Sequence, residues 1–152
     1  MSQLSDAFEI IDSHPDLADF EGPPDDGLLD EAETALGQPI VGDYRAFVSR
    51  YGAGNFGSQE IYGIFTREFL PPGPPEAVGI TLDAREHGLP AGMIVIYDGG
   101  DGTQLALDER DTGQDPPVTR IALGMSPDAW EPAYGGFGEF LLDVVTREVE
   151  DR

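Results

Sequence analysis

Leu4, Ala7, Phe8 and Ile11 recur at i, i+3, i+4 and i+7, the spacing that lines up apolar side chains on one face of an α-helix. Ser13-His14-Pro15 ends that pattern, because a residue preceding proline is pushed out of the helical region. From Asp16 to Gly27 the chain is acidic and interrupted by Gly22-Pro23-Pro24, which reads as a loop. Asp26 is placed to cap a second helix, with Leu28, Ala32, Ala35 and Leu36 on its apolar side and Gly37 as its stop. A third helix starts at Gly42 or Asp43, carries the stripe Tyr44, Phe47, Val48, Tyr51, and stops at Gly52. Rings at that helical spacing are expected in the core.

Beyond Gly52 the period changes. Glu60 to Phe65 reads as a strand, followed by a rigid loop at Pro71-Pro72-Gly73-Pro74-Pro75. A short helix is expected over Thr81 to His87. Met93 to Tyr97 is a continuous apolar, β-rich run, and Leu105 and Leu107 alternate with polar neighbours in a second strand. Between them, Asp98-Gly99-Gly100-Asp101-Gly102 supplies the glycines of a hairpin turn. Val118 to Ile121 is another candidate strand, and Phe137, Phe140, Leu141, Val144 and Val145 define a closing helix.

Helices first, then strands, then a helix is the order of an α+β fold and not of alternating βαβ units. The expectation is a mainly antiparallel sheet of about 4–6 strands, with N-terminal helices and a C-terminal helix packed on it. A chain of 152 residues fits one domain spanning 1–152.

Composition then narrows the function. With no cysteine, disulfide frameworks and thiolate metal sites are excluded. The 30 acidic residues against 8 basic ones, all of them arginine, give a net charge of −22. Such a charge argues against direct contact with nucleic acid, whose affinity comes mainly from phosphate neutralisation, and against anionic membranes. Met1 to Tyr44 holds twelve acids and no arginine or lysine. An acidic face of this kind speeds association with a basic partner, and its effect is weakened by salt. A salt-adapted or GC-biased proteome accounts for the same acidity through solubility, and both explanations stay open. The N-terminus has no basic region followed by an apolar run, and no stretch approaches about 18 apolar residues, so the expected location is the cytoplasm.

Few residues suggest chemistry. Gly52-Ala53-Gly54-Asn55-Phe56-Gly57 fits G-x-G-x-x-G, but a dinucleotide site needs a strand before it and a helix after, and here the order is reversed. Asp98, Asp101 and Asp108 lack the spacing of a calcium loop and read as solvated turn residues. His14 and His87 stand near helix ends, outside any triad or zinc pattern. Trp130 is expected to be a partly buried packing residue, with an interface anchor as the alternative. No metal, cofactor or catalytic residue is assigned.

Six segments in order then carry a resemblance. These are Leu29-Asp30-Glu31-Ala32-Glu33-Thr34-Ala35-Leu36-Gly37, Asp43-Tyr44-Arg45-Ala46-Phe47, Tyr51-Gly52-Ala53-Gly54, Glu60-Ile61-Tyr62-Gly63, Leu89 to Ile96, and Gly100-Asp101-Gly102 with Leu107-Asp108. Together they resemble the SUKH superfamily of Smi/Knr-type proteins. The chain departs from the usual pattern at Pro39-Ile40-Val41-Gly42, where that superfamily shows a Leu-Pro pair. The resemblance implies an α+β domain without an established catalytic site. Many bacterial members are immunity proteins that neutralise a cognate secreted toxin, often a nuclease, and fungal members regulate cell-wall assembly. The expectation is a non-enzymatic antitoxin, monomeric or weakly dimeric, that binds a cognate toxin or other basic protein. A regulatory adaptor holding an endogenous partner is the alternative. Loop acids Asp25, Asp26, Asp98 and Asp101 are the expected contact residues, acting by charge complementarity.

Overall fold

The computed structural model describes residues 2–69, 76–110 and 115–151. The expected proline loop Pro71 to Pro75 lies outside them. Among the described residues the fold is α+β, with five α-helices and two antiparallel sheets ordered β1-β2-β3 and β4-β5-β6-β7.

Helix α1 (Gln3–Ser13) is capped by Ser2, whose Oγ accepts from Ser5 N at 3.0 Å, and buries Leu4, Ala7 and Ile11. The chain then enters β1 (Ala18–Phe20), inside the segment expected to be a loop. Three residues are too few to show an alternating pattern, and an antiparallel partner, β2 (Gly54–Phe56), makes the strand. Helix α2 (Asp26–Leu36) begins one residue earlier than its sequence suggests, since Asp25 and not Asp26 is the cap, its Oδ1 accepting from Leu28 N at 2.7 Å. It ends at Gly37 in the left-handed region, as expected.

Helix α3 (Gly42–Tyr51) buries Tyr44, Phe47, Val48 and Tyr51. Its rings stack into an aromatic centre with the closing helix α5 (Phe137–Glu150). Tyr44 and Phe47 lie 5.0 and 5.2 Å from Phe137, and Phe137 lies 5.6 Å from Phe140. The Tyr44 hydroxyl donates to the Tyr62 carbonyl at 2.8 Å, which satisfies both groups in the interior.

Strand β3 (Gln59–Ile61) is shorter than the expected Glu60–Phe65. After Ile61 the chain leaves the hairpin and is shared between neighbours. Tyr62 N donates to Ile96 O at 2.9 Å and Ile64 N donates to Gly52 O at 3.0 Å. Helix α4 (Ala77–Arg85) starts four residues before the expected Thr81. Ala77, Val78, Gly79, Thr81 and Ala84 are all buried and Asp83 is the first exposed position, so the opening turn of this helix shows no polar face and its periodicity is hidden there.

The hairpin of β4 (Met93–Asp98) and β5 (Gln104–Asp108) turns through Gly99 to Thr103, as the glycines indicated, and β6 (Val118–Ile121) pairs with β5. A 3₁₀ turn (Pro127–Ala129) leads to β7 (Glu131–Tyr134), which the sequence hides because it contains Pro132. Proline is tolerated there because β7 is an edge strand, paired to β6 with a register shift. Trp130 is half-buried, with its indole N–H donating to Ala122 O at 3.1 Å.

Helix α5 packs on α1, on α3 and, through Phe140, on the rings of Tyr97 and Tyr134. Glu148, buried on α5, accepts from Ser58 N (3.1 Å) and Ser58 Oγ (2.8 Å), tying this helix to the β2–β3 turn.

Candidate protein-binding surface

The four acids expected to make contacts fall on two separate elements. Asp25 and Asp26 sit at the N-terminus of α2, while Asp98 ends β4 and Asp101 sits on the β4–β5 turn that follows it. Asp25 is already engaged within the chain. It caps α2 and accepts from Arg67 at 2.8 Å, and Arg67 also bonds Glu31. The Arg67 guanidinium, with the Leu28 amide, holds the Asp25 carboxyl below the usual carboxylate range. Asp26 is exposed beside it and forms no ion pair among the described residues.

On the turn, Asp98 Oδ1 accepts from Gly100 N at 2.8 Å. Asp101 Oδ1 accepts from the Thr103 hydroxyl at 2.5 Å and from Thr103 N at 3.1 Å, and the hydroxyl bond leads in lowering its pKa. Each carboxylate thus spends one oxygen on shaping the turn, and both residues are exposed. Asp108, the third acid of the sequence cluster, is bound instead by Arg110 at 2.9 Å. Among the described residues no group of three or more histidines or acids is placed to hold a metal ion.

Behind the turn lies a half-enclosed cavity of about 180 Å³, floored by Leu105, Phe140 and Val144 and rimmed by Asp101, Thr103, Arg120 and Arg147. Pockets for drug-sized ligands run from about 300 Å³ upward, so this one suits a single side chain. Arg147 is paired with Asp143 at 3.2 Å, and the Tyr134 hydroxyl donates to the same carboxylate at 2.6 Å. Arg120 differs from the other described arginines, which all make side-chain ion pairs or hydrogen bonds, in making neither.

The glycine-rich stretch has a structural explanation. Gly52 has φ +74, and a Cβ there would stand 2.3 Å from Gly22 O. Gly54 has φ +150, and a Cβ there would stand 2.2 Å from Asp19 O, in the β1 backbone. Both positions therefore require glycine for conformation and for close approach of neighbouring chain segments. His14 and His87 close helix ends, their Nδ1 atoms 2.8 and 2.9 Å from Ile10 O and Asp83 O.

The segment linking α2 to α3 is also held by charge. Glu33 Oε2 accepts from Ile40 N at 2.7 Å and from Arg45 at 3.2 Å, while Arg45 donates to Ile40 O at 3.1 Å. The acid of the helix ending in Leu36-Gly37 and the arginine of Asp43-Tyr44-Arg45 thus clamp the intervening link. A SUKH_5 family model, described as SMI1-KNR4 cell-wall, matches residues 4–146. The chain belongs to the SUKH family. A comparison with curated proteins finds no match.

The departure of this SUKH protein at Pro39 to Gly42 is absorbed by that clamp, which fixes Ile40 through both its amide and its carbonyl. The signature rings Tyr44, Phe47 and Tyr51 serve the core, as their spacing indicated. No described helix is long and apolar enough to cross a membrane.

One buried carboxyl of the SUKH protein escaped the sequence reading. Glu76 is 2% exposed and caps α4, its two oxygens accepting from Val78 N (2.8 Å) and Gly79 N (2.6 Å). Burial raises its pKa to about 7 against the lowering effect of those two amides. Because the folded value lies above the ordinary 4.5, the native state holds the proton that the unfolded chain releases between about pH 4.5 and 7. Stability from this group is therefore complete below pH 4.5 and is lost as pH rises to 7, a change of roughly 3 kcal/mol. Urea denaturation at pH 5 and pH 8 is expected to show a smaller loss on alkalinisation for Glu76→Gln than for the unmodified protein. Equal losses in both proteins would contradict this assignment.

Proposed function

We propose that this SUKH protein is a non-enzymatic immunity protein that binds a cognate secreted toxin, a basic nuclease domain, and neutralises it in the cytoplasm. Membership of the SUKH family, matched over residues 4–146, is the observation that carries this reading. Charge gives the partner its chemistry. The exposed acids Asp19, Glu21, Asp26, Asp30, Asp98 and Asp101 form no ion pairs among the described residues, so their field is available to a cationic protein. Neutralisation by occlusion needs no catalytic group on the immunity protein, only a surface that covers or distorts the toxin's site.

The family description names the cell wall, which favours a second reading: a Smi/Knr-type regulatory adaptor that holds an endogenous partner on the same surface. Co-expression separates the two. With a toxin domain encoded beside this chain's gene, the immunity reading expects growth to be restored by this protein and lost without it. Equal killing in both cultures would sink the immunity reading and leave the adaptor.

A further inference from the structure

The Asp98–Thr103 turn and the segment from Ala122 to Glu131 meet at Arg120. Two cavities, of about 180 and 170 Å³, lie on either side of this junction and share Thr103 and Arg120 as lining. The second cavity is walled by Ala122, Met125, Ala129 and Trp130. Met125 is 58% exposed and is the large hydrophobic residue that the described surface leaves open to water. A lone exposed apolar side chain is ordinary, but this one stands beside a half-buried tryptophan and an arginine that forms no ion pair among the described residues, its charge felt by Asp101. Tryptophan and arginine are the residue types most enriched among interface hot spots, and a flexible methionine adapts to varied partner surfaces. Exposed acids stand on the same two segments: Asp101 and Glu131 line the cavities, and Asp98 and Asp128 each lie three residues before one of them in the chain, none ion-paired among the described residues.

We infer that this surface, with Met125 and Trp130 at its centre, Arg120 at the junction and the four acids as rim, is where the protein docks its basic protein partner. The inference rests on the immunity reading and chooses between the two faces named by the sequence. The α2 face is the weaker candidate because Asp25 and Glu31 there are already neutralised by Arg67. A second copy of the chain is disfavoured as the occupant, since two bodies of charge −22 with the same acidic rim repel each other. A basic domain meets the opposite situation, its cations facing the rim while an apolar side chain enters beside Met125. Arg120 then finds a carbonyl or carboxylate acceptor on the partner.

Calorimetric titration with the purified neighbouring-gene toxin domain tests this, using the unmodified protein, Met125→Arg, the pair Asp98→Asn with Asp101→Asn, and Asp26→Asn as a control. Met125 is exposed and asparagine keeps the turn-forming acceptor, so all variants are expected to melt with the parent. Met125→Arg should weaken binding by about 30-fold or more, the scale of a hot spot. The asparagine pair should weaken it several-fold, and Asp26→Asn by less than about 3-fold. Unchanged affinity in Met125→Arg overturns the surface while the immunity reading stands. No binding by the unmodified protein overturns both. A dimer of the free protein in sedimentation, dissociated by Met125→Arg, assigns the surface to a second copy and overturns the proposal.

Discussion

Phe47→Ala is expected to lower stability by about 3–5 kcal/mol, the range for deleting a large ring from a packed core. Phe47 is fully buried and its ring meets four others: Phe20 at 6.0 Å, Tyr44 at 6.4 Å, Tyr51 at 5.7 Å and Phe137 at 5.2 Å. The hole would therefore open where β1, α3 and α5 converge, and rings held on three separate elements collapse poorly into it. Stability of a domain this size is about 5–15 kcal/mol, so such a loss takes a large share of it. Urea denaturation followed by tryptophan fluorescence and by circular dichroism should show a midpoint shift in both. A loss below about 1 kcal/mol would mean that this aromatic centre does not hold the helices to the sheet.

Gly54→Ala is expected to cost about 4 kcal/mol or more, or to prevent folding. Two penalties add. At φ +150 a side chain is strained in itself, and the new Cβ would lie 2.2 Å from Asp19 O and 2.7 Å from Phe20 Cα, both backbone atoms that cannot swing away. Relief requires β1 to part from β2, which would free the strand that carries Phe20 onto Phe47 and Tyr51. The same experiment separates the two meanings of the G-x-G-x-x-G pattern. A glycine kept for a nucleotide phosphate would give a variant that folds normally. A glycine kept for strand packing gives one that expresses poorly and melts early, as expected here.

The elements legible in the sequence were those with one wet face. Helices α1, α2, α3 and α5 each show an apolar stripe against polar positions, and the β4–β5 hairpin is announced by its glycines. Where both sides are covered the contrast vanishes, which is why α4 was displaced and why Tyr62 to Ile64 looked like more strand than it is. Strand β7 was hidden by Pro132, acceptable only because the edge position is known once the sheet is built. The candidate surface was legible in part. That Asp98 and Asp101 stand on an exposed turn followed from the glycines around them. That Asp25 is occupied by Arg67, 42 residues away, did not, because no local pattern encodes that pairing. Arg120 was missed for the same reason, since its making no ion pair among the described residues is a property of the folded surface. Glu76 was missed because nothing in its neighbourhood marks it as a buried cap.

Electrostatic steering toward a cationic protein ties the net charge of −22, the exposed acids and the proposed role together. The most direct measurement is the affinity of the unmodified protein for the purified basic toxin domain as salt rises from about 0.01 to 0.15 M, where the Debye length contracts from about 30 to 8 Å. A one-to-one complex whose association slows and whose affinity falls across that range is the expected result. No complex at any salt, or an affinity that salt leaves unchanged, would contradict it.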